Sequence, residues 1–202
     1  MKTFLYIVTL IALTLSSPAQ AANNILVFGD SLSAGYGIAR DASWVNLLQG
    51  ELKQHHPPVD VVNASISGET TAGGLRRIGM ALRQHHPAIV IVELGANDGL
   101  RGATVAETER NLNMIIEQIK QANARVLLLG MRLPPNYGPD YTRQFHAIFP
   151  KLAKRQGIAL LPFLLDGIPP EQFQADNLHP TAEAQPLIMR NVMKLLLPLL
   201  RP

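Results

Sequence analysis

A chain of 202 residues, 47% hydrophobic and 16% charged, is long enough to bury one good core and short enough to form a single domain. It has no cysteine, which excludes a disulfide framework, a lipoprotein anchor and a thiol nucleophile. Its net charge of +3 comes from lysines and arginines scattered along the chain with no basic stripe, so nucleic acid is not an expected partner.

The chain opens on MKTFLYIVTLIALTLSSPAQA, with a lysine at position 2, an apolar run from Phe4 to Leu15 and a small-residue site at Ala19-Gln20-Ala21. This is the pattern of a secretory signal peptide, so residues 1–21 are expected to be cleaved and residues 22–202 to form the exported domain. The apolar run is shorter than a comfortable membrane span, and no later segment reaches about 18 uninterrupted apolar residues, so stable membrane insertion is not expected.

Five short apolar runs follow: ILVF (25–28), VDVVN (59–63), AIVIVEL (88–94), RVLLLG (125–130) and IALLPF (158–163). Between and after them lie helical patterns at about 43–54, 71–84, 105–121, 142–156 and 184–200. Apolar strands separated by helices predict an α/β fold with a parallel sheet covered on both faces. Thr104-Val-Ala-Glu107 is a capping box ahead of an apolar periodicity at Leu112, Ile115, Ile116 and Ile119. The echo KQHHPP (53–58) and RQHHPA (83–88) places histidines where helices should end, with proline to stop them. Adjacent histidines point to different faces and no carboxylate accompanies them, so no metal site is expected.

In open α/β sheets ligands bind beyond the carboxyl ends of the strands. Those positions carry Gly29-Asp30-Ser31-Leu32-Ser33, Ala64-Ser65-Ile66-Ser67-Gly68-Glu69 and Gly95-Ala96-Asn97-Asp98-Gly99, and Asp176-Asn177-Leu178-His179-Pro180 precedes the last helix. A serine hydroxyl needs a base, and a tetrahedral intermediate needs preorganised donors. Ser31, His179 and Asp176 supply the first requirement; the N–H groups of Ser31 and Gly68 and the Asn97 amide supply the second. Ser33 is read as a loop or cap residue, Asp30 as a brace for the loop and His146 as structural, with Asp98 an alternative partner for His179. G-x-S-x-G is absent around the serine, so this is not a nucleophile elbow.

GDSLS, the glycine of SISGET, the GAND segment and DNLH, in that order from residue 29 to residue 179, resemble the four signature blocks of the SGNH (GDSL) hydrolase family. VVNASISGET, VELGANDGLRG, RLPPNYGPDY and the AQP after the histidine resemble the family's multifunctional bacterial esterases across the whole mature chain. The resemblance implies a three-layer, flavodoxin-like sheet of five parallel strands in the order 2-1-3-4-5. It also implies Ser31 as nucleophile, His179 as base, Asp176 as its orienting acid, and Gly68 and Asn97 as oxyanion donors. The implied protein is a periplasmic hydrolase of acyl esters and thioesters, of the thioesterase, arylesterase or lysophospholipase type, with full secretion as the alternative; a monomer needing no cofactor is expected. Two positions depart from the pattern: Ala96, where a second glycine is frequent, and Asn177, where glycine is common but asparagine tolerates left-handed angles.

Apolar residues flank these blocks. Leu100, Leu133, Pro134 and Tyr137 are the candidate acyl contacts, with Pro135, Ile168 and Phe173 nearby. A carbohydrate acetylesterase of the same family is the alternative substrate reading. A flavodoxin-like phosphate or flavin binder, using SLSAGYG as its loop, is the alternative from another class; it lacks a Walker lysine and a dinucleotide fingerprint.

Overall fold

The computed structural model describes residues 24–55 and 57–201; the expected signal peptide lies outside them. Five parallel strands, β1 (Asn24–Gly29), β2 (Asp60–Asn63), β3 (Ile89–Glu93), β4 (Arg125–Leu129) and β5 (Ala159–Leu161), form one sheet in the order β2-β1-β3-β4-β5. β1 and β3 occupy its centre, where Leu26, Val27, Phe28, Val90, Ile91 and Val92 have no exposed surface. Strands buried on both faces can be apolar without alternation, as these are.

The helices are α1 (Ser31–Ala34), α2 (Trp44–Leu52), α3 (Thr71–His85), α4 (Ala96–Leu100), α5 (Val105–Gln121), α6 (Pro139–Gln156) and α7 (Gln185–Leu200). α3, α5 and α6 pack in a row on one face of the sheet, and α2 and α7 pack together on the other. Right-handed crossovers account for this division: the chain steps one way from β1 to β2 and the opposite way through β3, β4 and β5. The capping residue of α5 is Thr104, whose hydroxyl accepts from Glu107 N at 3.2 Å. Pro139 opens α6 three residues before the sequence pattern does, because proline is preorganised for the first helical turn. The second histidine pair closes α3: His85 is its last residue, and His86 caps it in the left-handed conformation with φ 43°.

The topology puts every β-to-α turn at the carboxyl edge of the sheet. Buried Gln185, at the start of α7, accepts from Trp44 N at 3.0 Å and donates to Thr181 O at 3.2 Å. Trp44 Nε1 in turn donates to Leu32 O at 3.2 Å. The segment after β5 is thereby tied to the turn after β1, although 148 positions separate Ser31 from His179.

Candidate active site

The turn after β1 becomes a single helical turn because Asp30 caps it: Asp30 Oδ1 accepts from Leu32 N at 3.0 Å, and Gly35 ends the turn at φ 76°. Ser31 is the first residue of that turn, with its side chain partly exposed at the sheet edge. Ser33 faces inward, is fully buried and donates its hydroxyl to Glu93 Oε2 at 2.8 Å. The two serines of the motif therefore occupy opposite environments.

His179 arrives from a loop pinned by the Phe173–Pro180 bridge and by Gln174 N, which donates to His179 O at 2.8 Å. Its Nε2 lies 2.8 Å from Ser31 Oγ, and its Nδ1 lies 2.6 Å from Asp176 Oδ2. A carboxylate is an acceptor only, so Nδ1 carries the proton and Nε2 is left to accept from the serine hydroxyl. The other Asp176 oxygen accepts from Leu178 N at 2.9 Å and His179 N at 3.0 Å. Partial burial opposes ionisation of Asp176, but these hydrogen bonds and the imidazole outweigh it and hold the carboxyl down at about 2. The tight loop requires φ 55° at Asn177, an angle asparagine accepts. The Tyr36 ring lies against the imidazole with centroids 4.6 Å apart.

The loop after β2 extends the pairing with β1, since Ala64 N donates to Val27 O and Ile66 N to Gly29 O, and so brings Gly68 to the same edge with φ 78°. Arg101 Nη2 braces it through Gly68 O at 3.2 Å. Neither the Ser31 nor the Gly68 N–H is engaged by another hydrogen bond among the described residues. After β3 the chain turns at Gly95, with φ 116°, into α4; Ala96 sits in that helix with ordinary backbone angles, so the missing glycine causes no strain. Asn97, one residue on, donates Nδ2 to Asp30 Oδ2 at 3.0 Å. Asp98 is turned away: it accepts from Thr71 N at 2.8 Å and from the Thr71 hydroxyl, so it anchors α3 instead of partnering His179. His146, in α6, reaches Met131 O, just past β4, at 3.3 Å.

A cleft of about 340 Å³ opens beside Ser31. Leu100, Leu133, Pro134 and Phe173 line it. Tyr137 does not; its hydroxyl donates to Leu100 O at 3.1 Å, so it fixes the wall from outside. Ile168 also falls outside the lining, and Pro135 faces a separate surface hollow. Met131, Phe163 and Leu165 complete the apolar wall. They sit at or just past the ends of β4 and β5, where the apolar pattern alone reads as core.

Asp30 differs electrostatically from Asp176. Burial raises its carboxyl to about 6 against the hydrogen bonds from Leu32 and Asn97. A carboxyl raised in the folded state stabilises the fold below its unfolded value, and that contribution is lost as pH rises through about 6. The melting temperature of Asp30→Asn should therefore move upward relative to the parent protein as pH rises from 4 to 7. Thermal melts at both pH values test this, and a shift in the opposite direction refutes the raised Asp30.

A doubly wound sheet thus joins a serine, a histidine and an aspartate by hydrogen bonds at its carboxyl edge, beside an apolar cleft, and this is the fold and edge of an ester hydrolase. The chain belongs to the GDSL-like lipase/acylhydrolase family, whose model matches residues 27–186. It is 45% identical over 192 residues to the esterase TesA of Pseudomonas aeruginosa, covering 94% of this chain and 96% of that one. It is 46% identical over 183 residues to the thioesterase 1/protease 1/lysophospholipase L1 of Escherichia coli K12, covering 90% and 86% respectively. Among solved structures, the psychrotrophic esterase EstA from Pseudoalteromonas sp., inhibited by monoethylphosphonate, superposes with a TM-score of 0.83 at 39% identity, over 87% of this chain and 97% of that one.

Proposed function

We propose that this protein hydrolyses carboxylic esters and thioesters of acyl chains through an acyl-enzyme formed on Ser31. The observation that carries the reading is the unbroken hydrogen-bonded series Ser31 Oγ, His179 and Asp176, at 2.8 and 2.6 Å, at the mouth of an apolar cleft. Ser31 Oγ attacks the acyl carbon while its proton passes to His179 Nε2, and Asp176 stabilises the imidazolium that forms. The N–H groups of Ser31 and Gly68 and the Asn97 amide receive the oxyanion. Collapse of the intermediate expels the alcohol or thiol, which takes the proton from Nε2. Water then repeats the sequence on the acyl-enzyme, with His179 as base. No step calls for a cofactor. The names of the relatives and the inhibited neighbour support the same chemistry.

Fluorophosphonate treatment followed by peptide mass spectrometry tests the assignment. The adduct is expected on Ser31, and an adduct on Ser33 or Ser67 overturns it. The leader-like residues 1–21 support export, and the family resemblance alone favours the periplasm over full secretion; among the described residues no helix is long and apolar enough to cross a membrane.

The apolar wall supports a fatty-acyl substrate over a sugar acetate. Each methylene buried in the cleft contributes up to about 0.8 kcal/mol, somewhat under fourfold in kcat/KM, until the cleft is filled. Activity on p-nitrophenyl esters should thus rise from acetyl to medium chains and then level or fall. Leu133→Ala should weaken that preference, because Leu133 lines the cleft and packs on Gly99 of α4. A tenfold or greater preference for acetyl would instead assign the enzyme to carbohydrate acetates, leaving the triad in place.

A further inference from the structure

Beneath the site lie two carboxyl groups that the acyl-transfer steps do not use. Glu93 ends β3 and Asp30 follows β1, where the register pairs Gly29 with Glu93. Both side chains are fully buried. Glu93 Oε2 accepts from Ser33 Oγ at 2.8 Å and from Asp30 N at 3.2 Å. Its Oε1 is equally buried, and no N–H or O–H donor reaches it among the described residues. Because Asp30 N reaches Glu93 Oε2 and the register sets Glu93 beside Gly29, the two buried carboxyl groups are neighbours beneath the turn after β1. Gly29 leaves it room to be there: a Cβ at Gly29 would stand 2.6 Å from Glu93 Oε2 and 2.8 Å from Ser33 Oγ.

Two carboxylates in contact inside a protein do not both ionise; the pair retains a proton. The hydrogen bonds say which group keeps it. Both Asp30 oxygens accept, Oδ1 from Leu32 N and Oδ2 from the Asn97 amide, and accepting at both oxygens is what an ionised carboxylate does best. Glu93 has donors at one oxygen only, and an orphaned buried oxygen is costly unless a proton gives it a partner. We infer that Glu93 is a neutral buried acid that donates its proton to Asp30, and that the Asp30 anion fixes the Asn97 amide with its second N–H turned to the acyl oxygen.

Burial, and then the Asp30 charge, push Glu93 well above the usual carboxylate range, in agreement with this assignment. The other titratable group acting on Asp30 is His179, across the site, whose positive charge, once it takes the serine proton, favours the Asp30 anion. Asp30 and Glu93 are thus positioning residues, acting on the reaction through Asn97. The inference rests on the oxyanion role proposed above for Asn97. It also gives the aspartate of the GDS motif a task that asparagine cannot take over: one amide oxygen cannot serve both Leu32 N and Asn97 Nδ2.

Two measurements test it. Infrared spectra of the mature protein at pH 7 should show a protonated-carboxyl stretch that Glu93→Gln removes. This readout is independent of turnover, so its absence overturns the proton assignment while the serine-hydrolase reading stands. In kinetics, Glu93→Met should lower kcat by roughly tenfold or more with little change in KM, and Glu93→Gln, which keeps both an acceptor and a donor to Asp30, should recover most of the loss. Asp30→Asn combined with Asn97→Ala should lose no more than Asn97→Ala alone, since both changes act on one donor. Independent, multiplying losses in that cycle would overturn the link through Asn97; if the Met variant does not fold, the infrared band and the double-mutant cycle still decide the matter.

Discussion

Ser31→Ala should lower kcat on the order of 10⁴- to 10⁶-fold, the range seen when a nucleophile that works as one unit with its base is removed. The fold should survive. The helical turn bearing Ser31 is capped by the Asp30 carboxylate, not by the serine, and alanine is a good residue for a first helical turn. The serine hydroxyl is engaged only with His179 among the described residues, so no buried group other than the imidazole loses a partner. Unchanged thermal melting together with abolished turnover and abolished fluorophosphonate labelling is the expected result. Residual activity within tenfold of the parent would show that another group attacks the ester. Ser33 is poorly placed for that, since it is fully buried with its hydroxyl committed to Glu93.

That separation of Ser31 from Ser33 was partly legible in the sequence. Five apolar runs and the helical patterns between them marked every strand and every long helix, because burial on both faces leaves strands nearly continuous in hydrophobicity. What composition and periodicity left out were the two short helices, Ser31–Ala34 and Ala96–Leu100. Single turns made of Ser, Asp, Asn and Gly read as loops, since the same residues favour caps and turns. Those turns decide which side chains face the cleft and which face inward, so Ser33 and Asp98 found their partners only in three dimensions. Glu93 stands in the sequence as the one polar residue of the apolar run 88–94, with nothing beside it to mark a role. Its meaning depends on register, which sets it beside Gly29 and the turn after β1. Tyr137 lies outside the cleft lining for a related reason: a buried tyrosine hydroxyl seeks an acceptor, and Leu100 O is within reach of it.

Asn97→Ala should lower kcat by roughly 10²- to 10³-fold, the cost of about 2.7–4 kcal/mol found when one donor of an oxyanion site is deleted. KM should change little, because the interaction strengthens only as charge develops on the acyl oxygen. A structural effect of the same substitution must be separated from this. Removing the amide strips Asp30 Oδ2 of a donor, and an orphaned buried acceptor costs about 1–3 kcal/mol. That cost falls on folding and appears in the melting temperature, whereas the oxyanion term appears in kcat at a temperature where the protein is fully folded. Steady-state kinetics and thermal melts on the same preparation therefore resolve the two. A rise in KM with kcat unchanged would make Asn97 a ground-state contact, and a loss confined to stability would reduce it to a support for Asp30. A large drop in kcat at constant KM leaves the oxyanion role standing.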